Sequence, residues 1–247
     1  MYDWTTEEFI QAEVKAAAAK DPSMKLEDML ELKAQLEDEQ KRAKFIWLAG
    51  NSGGSKNKLL LHMNDFHNDK LLYGLITSVY TGDGYGFPRS IIIKAKSIAK
   101  NIPEEERLTN LPAGDPVTIY RADSASDLFF QRYPKAAPSW TINKNVAIWF
   151  AYRLVKGALD HGEEPRYRPL TLWKATIPRN KIIAYLTERG EYEVLQHNNA
   201  QHLEILPAPT KEEIDAAFAE HEAECKKGME ELNAWARENG YHEIPIE

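Results

Sequence analysis

A chain of 247 residues can bury a sizeable core, as one large domain or as one domain with an appendage, and its 43% apolar and 28% charged residues are those of a soluble globular protein. Its net charge of −7 excludes a general electrostatic pull toward nucleic acid or acidic membranes, while leaving room for a local basic groove. The single cysteine, Cys225, excludes a disulfide framework or a cysteine-based metal site within one chain; with no secretory signal and no apolar run of transmembrane length, the expectation is a cytoplasmic protein that does not enter a membrane.

The first part of the chain reads as helical. Thr5 to Glu8 has the Thr-x-x-Glu form of a capping box, and an alanine-rich run follows to Lys20. Asp21, Pro22 and Ser23 break it. A second helix is predicted over residues 26–44, with Leu26, Met29, Leu30, Lys33 and Leu36 on one face. Residues 45–57 have the outline of a phosphate-binding loop: an apolar strand, glycines, Lys56, then a helix. Ser55 replaces its last glycine, and Asn57 stands where a Ser or Thr would hold magnesium, so a flexible Gly/Ser linker is the simpler reading. Residues 58–102 read as helix, turn, helix, the turn at 82–86. His62, His67, His161, His197 and His202 lack metal-ligand spacing, and no metal is expected.

The texture changes after residue 116. Residues 117–122 alternate like a strand, with Val117, Ile119 and Arg121 on one face. An arginine on an apolar face needs an anion, which is either a structural carboxylate or a bound phosphate. Residues 138–142 form a short strand with Ser139 and Thr141 on one face and Trp140 on the other. Those hydroxyls either satisfy an edge or position a carboxylate and a sugar. Asn143 is suited to cap an apolar helix through Phe150 and Ala151. Residues 157–169 read as a long polar loop of the kind that carries function. Strands follow at 170–177, 182–186, 191–196 and about 202–206. Thr210 to Glu213 is another capping box and opens a helix to about residue 239, with Ile214, Phe218, His221 and Met229 on one face. The division is therefore a mostly helical region over 1–110, a β-rich core over 111–209 and a C-terminal helix over 210–247.

The late strand carries Gly190-Glu191-Tyr192-Glu193-Val194. Strand alternation puts Glu191 and Glu193 on one face and Tyr192 on the other. Like charges that close push one carboxyl to hold its proton more tightly, so the pair is able to divide a base from a charge stabiliser.

In chain order these pieces are Tyr120-Arg121 on a first strand, Ser139-Trp140-Thr141 on a second followed by the helix with Phe150-Ala151, and Glu191-Tyr192-Glu193 on a late strand. This set resembles the ADP-ribosyltransferases of the arginine, serine, Glu-x-Glu class, a group that includes bacterial and phage toxins and effectors. The resemblance covers residues 117–206. The family often has Ser-Thr-Ser where this chain has Ser139-Trp140-Thr141, and nothing in residues 1–110 matches it. The fold it implies is α+β: a split β-sandwich, here with an N-terminal helical region and a long C-terminal helix. It implies an NAD-dependent transferase that breaks the nicotinamide–ribose bond and passes ADP-ribose to a macromolecule, protein arginine before an RNA or DNA base. A catalytically inactive module of the same fold is the alternative. Glu193 would stabilise the oxocarbenium-like centre, Ser139 would orient Glu193, and Glu191 would activate the acceptor. Arg121, Ser139, Thr141 and Phe150 would contact NAD, with Arg166, Tyr167 and Arg168 from the loop. Residues 187–190 would meet the target, and an antitoxin or inhibitor would be a further partner.

Overall fold

The computed structural model describes residue 27 and residues 38–48, 54–83, 87–122, 133–163, 169–187 and 190–238. The expected helix over 5–20, the 82–86 turn beyond Asp83 and the side chains of Arg166, Tyr167 and Arg168 lie outside them. The chain divides into two compact units, Met1–Thr109 and Asn110–Glu247.

The first unit is helical among its described residues. It contains α1 (Glu39–Leu48), α2 (Gly54–His62), α3 (Asp69–Asp83), α4 (Arg89–Ala99) and the single turn α5 (Glu104–Arg107). Two expectations change here. Of the helix expected over 26–44, residues 26 and 28–37 lie outside the described residues; Asp38 is a bend whose Oδ1 accepts from the Gln40 and Lys41 amides at 2.9 and 3.1 Å, so α1 starts at Glu39. The apolar run at 45–48 is the last turn of α1 and not a strand, so the outline of a phosphate-binding loop loses its first part. A four-residue apolar run does not tell a strand from a buried helix end. Phe45 and Ile46 are buried, as are Leu59 of α2, Leu72 and Ile76 of α3, and Ile91 and Ile92 of α4. Glu39 joins α1 to the start of α3, accepting from the His67 and Asn68 amides at 2.8 and 3.0 Å.

The second unit is α+β. Its elements are β1 (Val117–Ala122), β2 (Ser139–Thr141), α6 (Lys144–Tyr152), α7 (Lys156–Asp160), β3 (Leu172–Ile177), β4 (Ala184–Leu186), β5 (Glu193–Leu195), β6 (Gln201–Ile205) and α8 (Lys211–Glu238). The strands form one six-stranded sheet in the order β4-β5-β2-β1-β3-β6, antiparallel throughout. It has two three-stranded halves. β1 pairs with β3 along its whole length, and β2 pairs with β5 along its whole length. The halves meet through one register pair, Tyr120 with Thr141.

Helix α6 forms because Asn143 caps it as the sequence predicts, its Oδ1 accepting from the Asn145 amide at 2.8 Å. Its buried face is Ala147, Ile148, Ala151 and Tyr152, which packs with Leu172 of β3 and with Ile214 and Ala217 of α8. Burying Ile148 completely contributes about 1.5–3 kcal/mol. The capping box at α8 is reciprocal: the Glu213 amide donates to Thr210 Oγ1 at 3.3 Å and the Thr210 amide donates to Glu213 at 2.9 Å. The polar stretch at 157–169 is not all loop. Its start is helical in α7, where Lys156 bridges Asp160 and Asp215, each at 2.7 Å. No helix among the described residues is long and apolar enough to cross a membrane.

Candidate functional site

The candidate site gathers where the two halves of the sheet meet. β2 supplies Ser139 and Thr141, and β5 supplies Glu193. The register sets Thr141 directly opposite Glu193 and Ser139 opposite Leu195. Directly opposite residues share a face, so Thr141, Ser139 and Glu193 lie on one side of the pair. Thr141 is thus the immediate neighbour of Glu193. Ser139 is diagonal to it, about 7–8 Å away along the strand, within reach of a long side chain. On the next strand, Arg121 donates from Nη1 to the Ser139 carbonyl. That bond reinforces the junction between β1 and β2, which have only one register pair.

Glu193 is 4% exposed and Thr141 6%, while Arg121 and Ser139 are half-buried. A carboxylate withdrawn from water to this degree is costly without polar company. Trp140, on the opposite face of β2, is 2% exposed and donates from Nε1 to the Ala137 carbonyl at 3.1 Å. Gln196 closes the far end of the β2–β5 pair. It is fully buried, its side chain donates to the Ala137 and Lys135 carbonyls, and its Oε1 accepts from the Asn199 amide at 2.8 Å.

The expected strand over 191–196 begins two residues late. Glu191 lies in a bend, Tyr192 has φ +49°, and β5 starts at Glu193. Alternation between faces holds only for extended backbone, so Glu191 and Glu193 do not share a strand face in the way the sequence suggests. The turn is held by β2. Thr141 Oγ1 donates to the Glu191 carbonyl at 2.7 Å and accepts from the Asn143 amide at 3.0 Å, and the Ile142 amide donates to the Tyr192 carbonyl at 3.2 Å. Of the two roles open to Thr141, supporting the strand and touching ribose, its hydroxyl is engaged in the first.

Phe150 lies on α6, half-buried, with the Arg153 guanidinium 4.8 Å from its ring centre and Trp149 packed edge-on at 4.9 Å.

Sequence reasoning missed the part of α8 that reaches this turn. Glu220 accepts from the side-chain amides of Asn143 and Asn145 at 2.5 and 2.6 Å. Glu224 accepts from the Tyr192 hydroxyl at 3.1 Å. Burial raises the Tyr192 hydroxyl above its ordinary range, with the bond to Glu224 adding to the effect, so it stays a donor at neutral pH. His221, between these glutamates, stacks on Trp149 at 3.8 Å, and burial lowers its pKa. Asn145, Gly190, Glu220, His221 and Glu224 line a shallow recess. The signal was present in the helical spacing Ala217, Glu220, His221, Glu224, one face of α8. No group of three or more metal-ligating side chains occurs among the described residues. In comparisons with known proteins, no family model matches this chain, and neither a curated protein nor a solved structure matches it significantly.

Proposed function

We propose that this protein is a mono-ADP-ribosyltransferase that uses NAD as donor and a macromolecule, foremost protein arginine, as acceptor. One observation carries the reading: the β1–β2–β5 junction brings Arg121, Ser139, Thr141 and Glu193, motif residues from three separate stretches, into one neighbourhood. The two three-stranded halves joined at one pair also support the finer fold reading, a split β-sandwich of that family.

In this reaction the bond between the nicotinamide nitrogen and ribose C1′ breaks, and its electron pair leaves with neutral nicotinamide. The positive charge left on the ribose is oxocarbenium-like, and a fixed carboxylate stabilises it. Glu193 takes that role, held in β5 between β2 and β4. The acceptor guanidine nitrogen then bonds to C1′, and Glu191 takes its proton. Arg121 holds the phosphates through its planar fork, while its bond to Ser139 fixes its direction. Residues 188–189, within the segment expected to meet the target, lie outside the described residues.

The burial of Glu193 favours a second reading, an inactive module of the same fold. Incubation with labelled NAD and a cell lysate separates the two, and protease or nuclease sensitivity of the label identifies the acceptor class. Glu193→Gln keeps the shape and loses the charge, so both NAD hydrolysis and transfer fall by about 100-fold or more. Glu191→Gln loses transfer and retains much of the hydrolysis, because water is a small acceptor. Near-normal NAD cleavage by Glu193→Gln removes that residue from the mechanism.

A further inference from the structure

Helix α8 lies outside the stretch that resembles ADP-ribosyltransferases, yet two of its carboxylates, one turn apart, grip both ends of the candidate site. Glu220 holds the β2–α6 junction through Asn143 and Asn145. Glu224 holds the turn before β5 through the Tyr192 hydroxyl, and its side chain lies against Gly190, where a Cβ would meet Glu224 Cβ at 3.6 Å.

That turn is an unusual one. Gly190 has φ +64° and Tyr192 φ +49°. A bulky residue rarely adopts the left-handed region, and it stays there only where its surroundings hold it. Two restraints come from the end of β2, through Thr141 and the adjoining Ile142, and another comes from α8. We propose that Glu224 is a positioning residue: through the Tyr192 hydroxyl it fixes the turn that sets Glu191 and Glu193 relative to the reacting atoms, with Glu220 anchoring the helix for that task.

This inference rests on the transferase reading above. Glu224 touches neither NAD nor acceptor in this role. Its amide analogue, Glu224→Gln, still accepts from the tyrosine hydroxyl, whereas Glu224→Ala and Tyr192→Phe each delete the bond and leave the backbone and the aromatic ring in place. A glutamate that only stabilised the fold would leave kcat of the folded protein unchanged.

The test measures steady-state transfer from labelled NAD for the wild-type protein, Glu224→Gln, Glu224→Ala, Tyr192→Phe and the double variant Tyr192→Phe/Glu224→Ala. Hydrogen exchange at the Ile142 amide, which bonds the Tyr192 carbonyl, is read on the same preparations. Glu224→Ala and Tyr192→Phe each lower kcat about 10-fold with KM for NAD unchanged, the loss that one charge-assisted bond predicts. Glu224→Gln restores kcat, the double variant is no worse than the poorer single one, and Ile142 exchange quickens wherever the bond is lost. Additive losses, a KM that rises as kcat falls, or failure of the glutamine to restore activity overturns the proposal. Faster turnover in Glu224→Ala also overturns it and makes α8 a cover. Unchanged Ile142 exchange in an active protein sinks the positioning role alone. Absence of NAD cleavage by the wild-type protein sinks the transferase reading, and the positioning role falls with it.

Discussion

Asn143 is where cap, helix packing and site meet, and its substitution separates their contributions. Its Oδ1 caps α6 at 2.8 Å, its Nδ2 donates to Glu220 at 2.5 Å, and its backbone amide donates to Thr141 Oγ1. Asn143→Ala removes the first two. Loss of the cap costs about 1 kcal/mol. A bond to a charged acceptor contributes about 1.5–3 kcal/mol, but Glu220 is half-buried and keeps Asn145, so about 1 kcal/mol is the appropriate share. The sum is about 2 kcal/mol, a fall of roughly 6–8 °C in Tm for a unit spanning Asn110–Glu247. Asn143→Ser keeps a capping oxygen and loses only the Glu220 link, so it falls by about half as much. Asn143→Asp keeps the cap but points a carboxylate at Glu220. At neutral pH it is no more stable than the serine variant, and it recovers as acid neutralises one of the two carboxyls. Circular dichroism melts at matched salt order the set. An aspartate variant as stable as wild type at neutral pH, or equal melts for Ala and Ser, would refute the reasoning.

His221 predicts a pH dependence. Burial lowers its pKa in the folded state below the unfolded value, so its stabilising share is fully present above the unfolded pKa and is lost as pH falls through the folded one. Trp149 faces it, Cys225 Sγ lies 3.5 Å from Nε2, and Glu220 and Glu224 share its recess. His221→Phe keeps the stack on Trp149 and should flatten the fall in Tm below about pH 6.5; an unchanged slope assigns the acid sensitivity to another group. Arg121→Ala should weaken NAD binding by about 1.5–3 kcal/mol and also loosen the β1–β2 junction. Calorimetry with a melt on the same sample checks both, and unchanged NAD affinity in a folded variant makes Arg121 structural alone.

Much of the second unit was legible because local chemistry and tertiary fold agree there. Asn143 and Thr210 cap where the sequence places caps, and the strand at 117–122 matches β1. The first unit was harder to read. An apolar run of four residues is a strand in a sheet and a helix end when it packs on helices, and only tertiary contacts choose between them. Within the site, the residues of the three motifs were legible but their register was not. Nothing in Ser-Trp-Thr says that threonine faces Glu193 and serine faces Leu195. The clasp from α8 was hidden for another reason. Glu220 and Glu224 sit in a helix rich in charge, where two glutamates look like solvated surface until Asn143, Asn145 and Tyr192 are brought beneath them.

The two glutamates of the candidate site differ in their mechanical surroundings, and the difference originates at Tyr192. A regular strand through 191–193 would present both carboxylates on one face, equally rigid, with like charges opposing each other. The left-handed torsion at Tyr192 ends the strand just before Glu193. Glu193 is left in the middle strand of a three-stranded half, paired on both sides and almost fully buried. Glu191 sits in a bend, half-exposed, with its backbone carbonyl fixed by Thr141. Stabilising a developing charge requires a group that does not reorganise, which suits a paired strand. Taking a proton from an acceptor that arrives by diffusion requires a group at the surface, which suits a bend. The assignment of the two roles therefore rests on one backbone torsion, and α8 is the element outside the sheet that holds it.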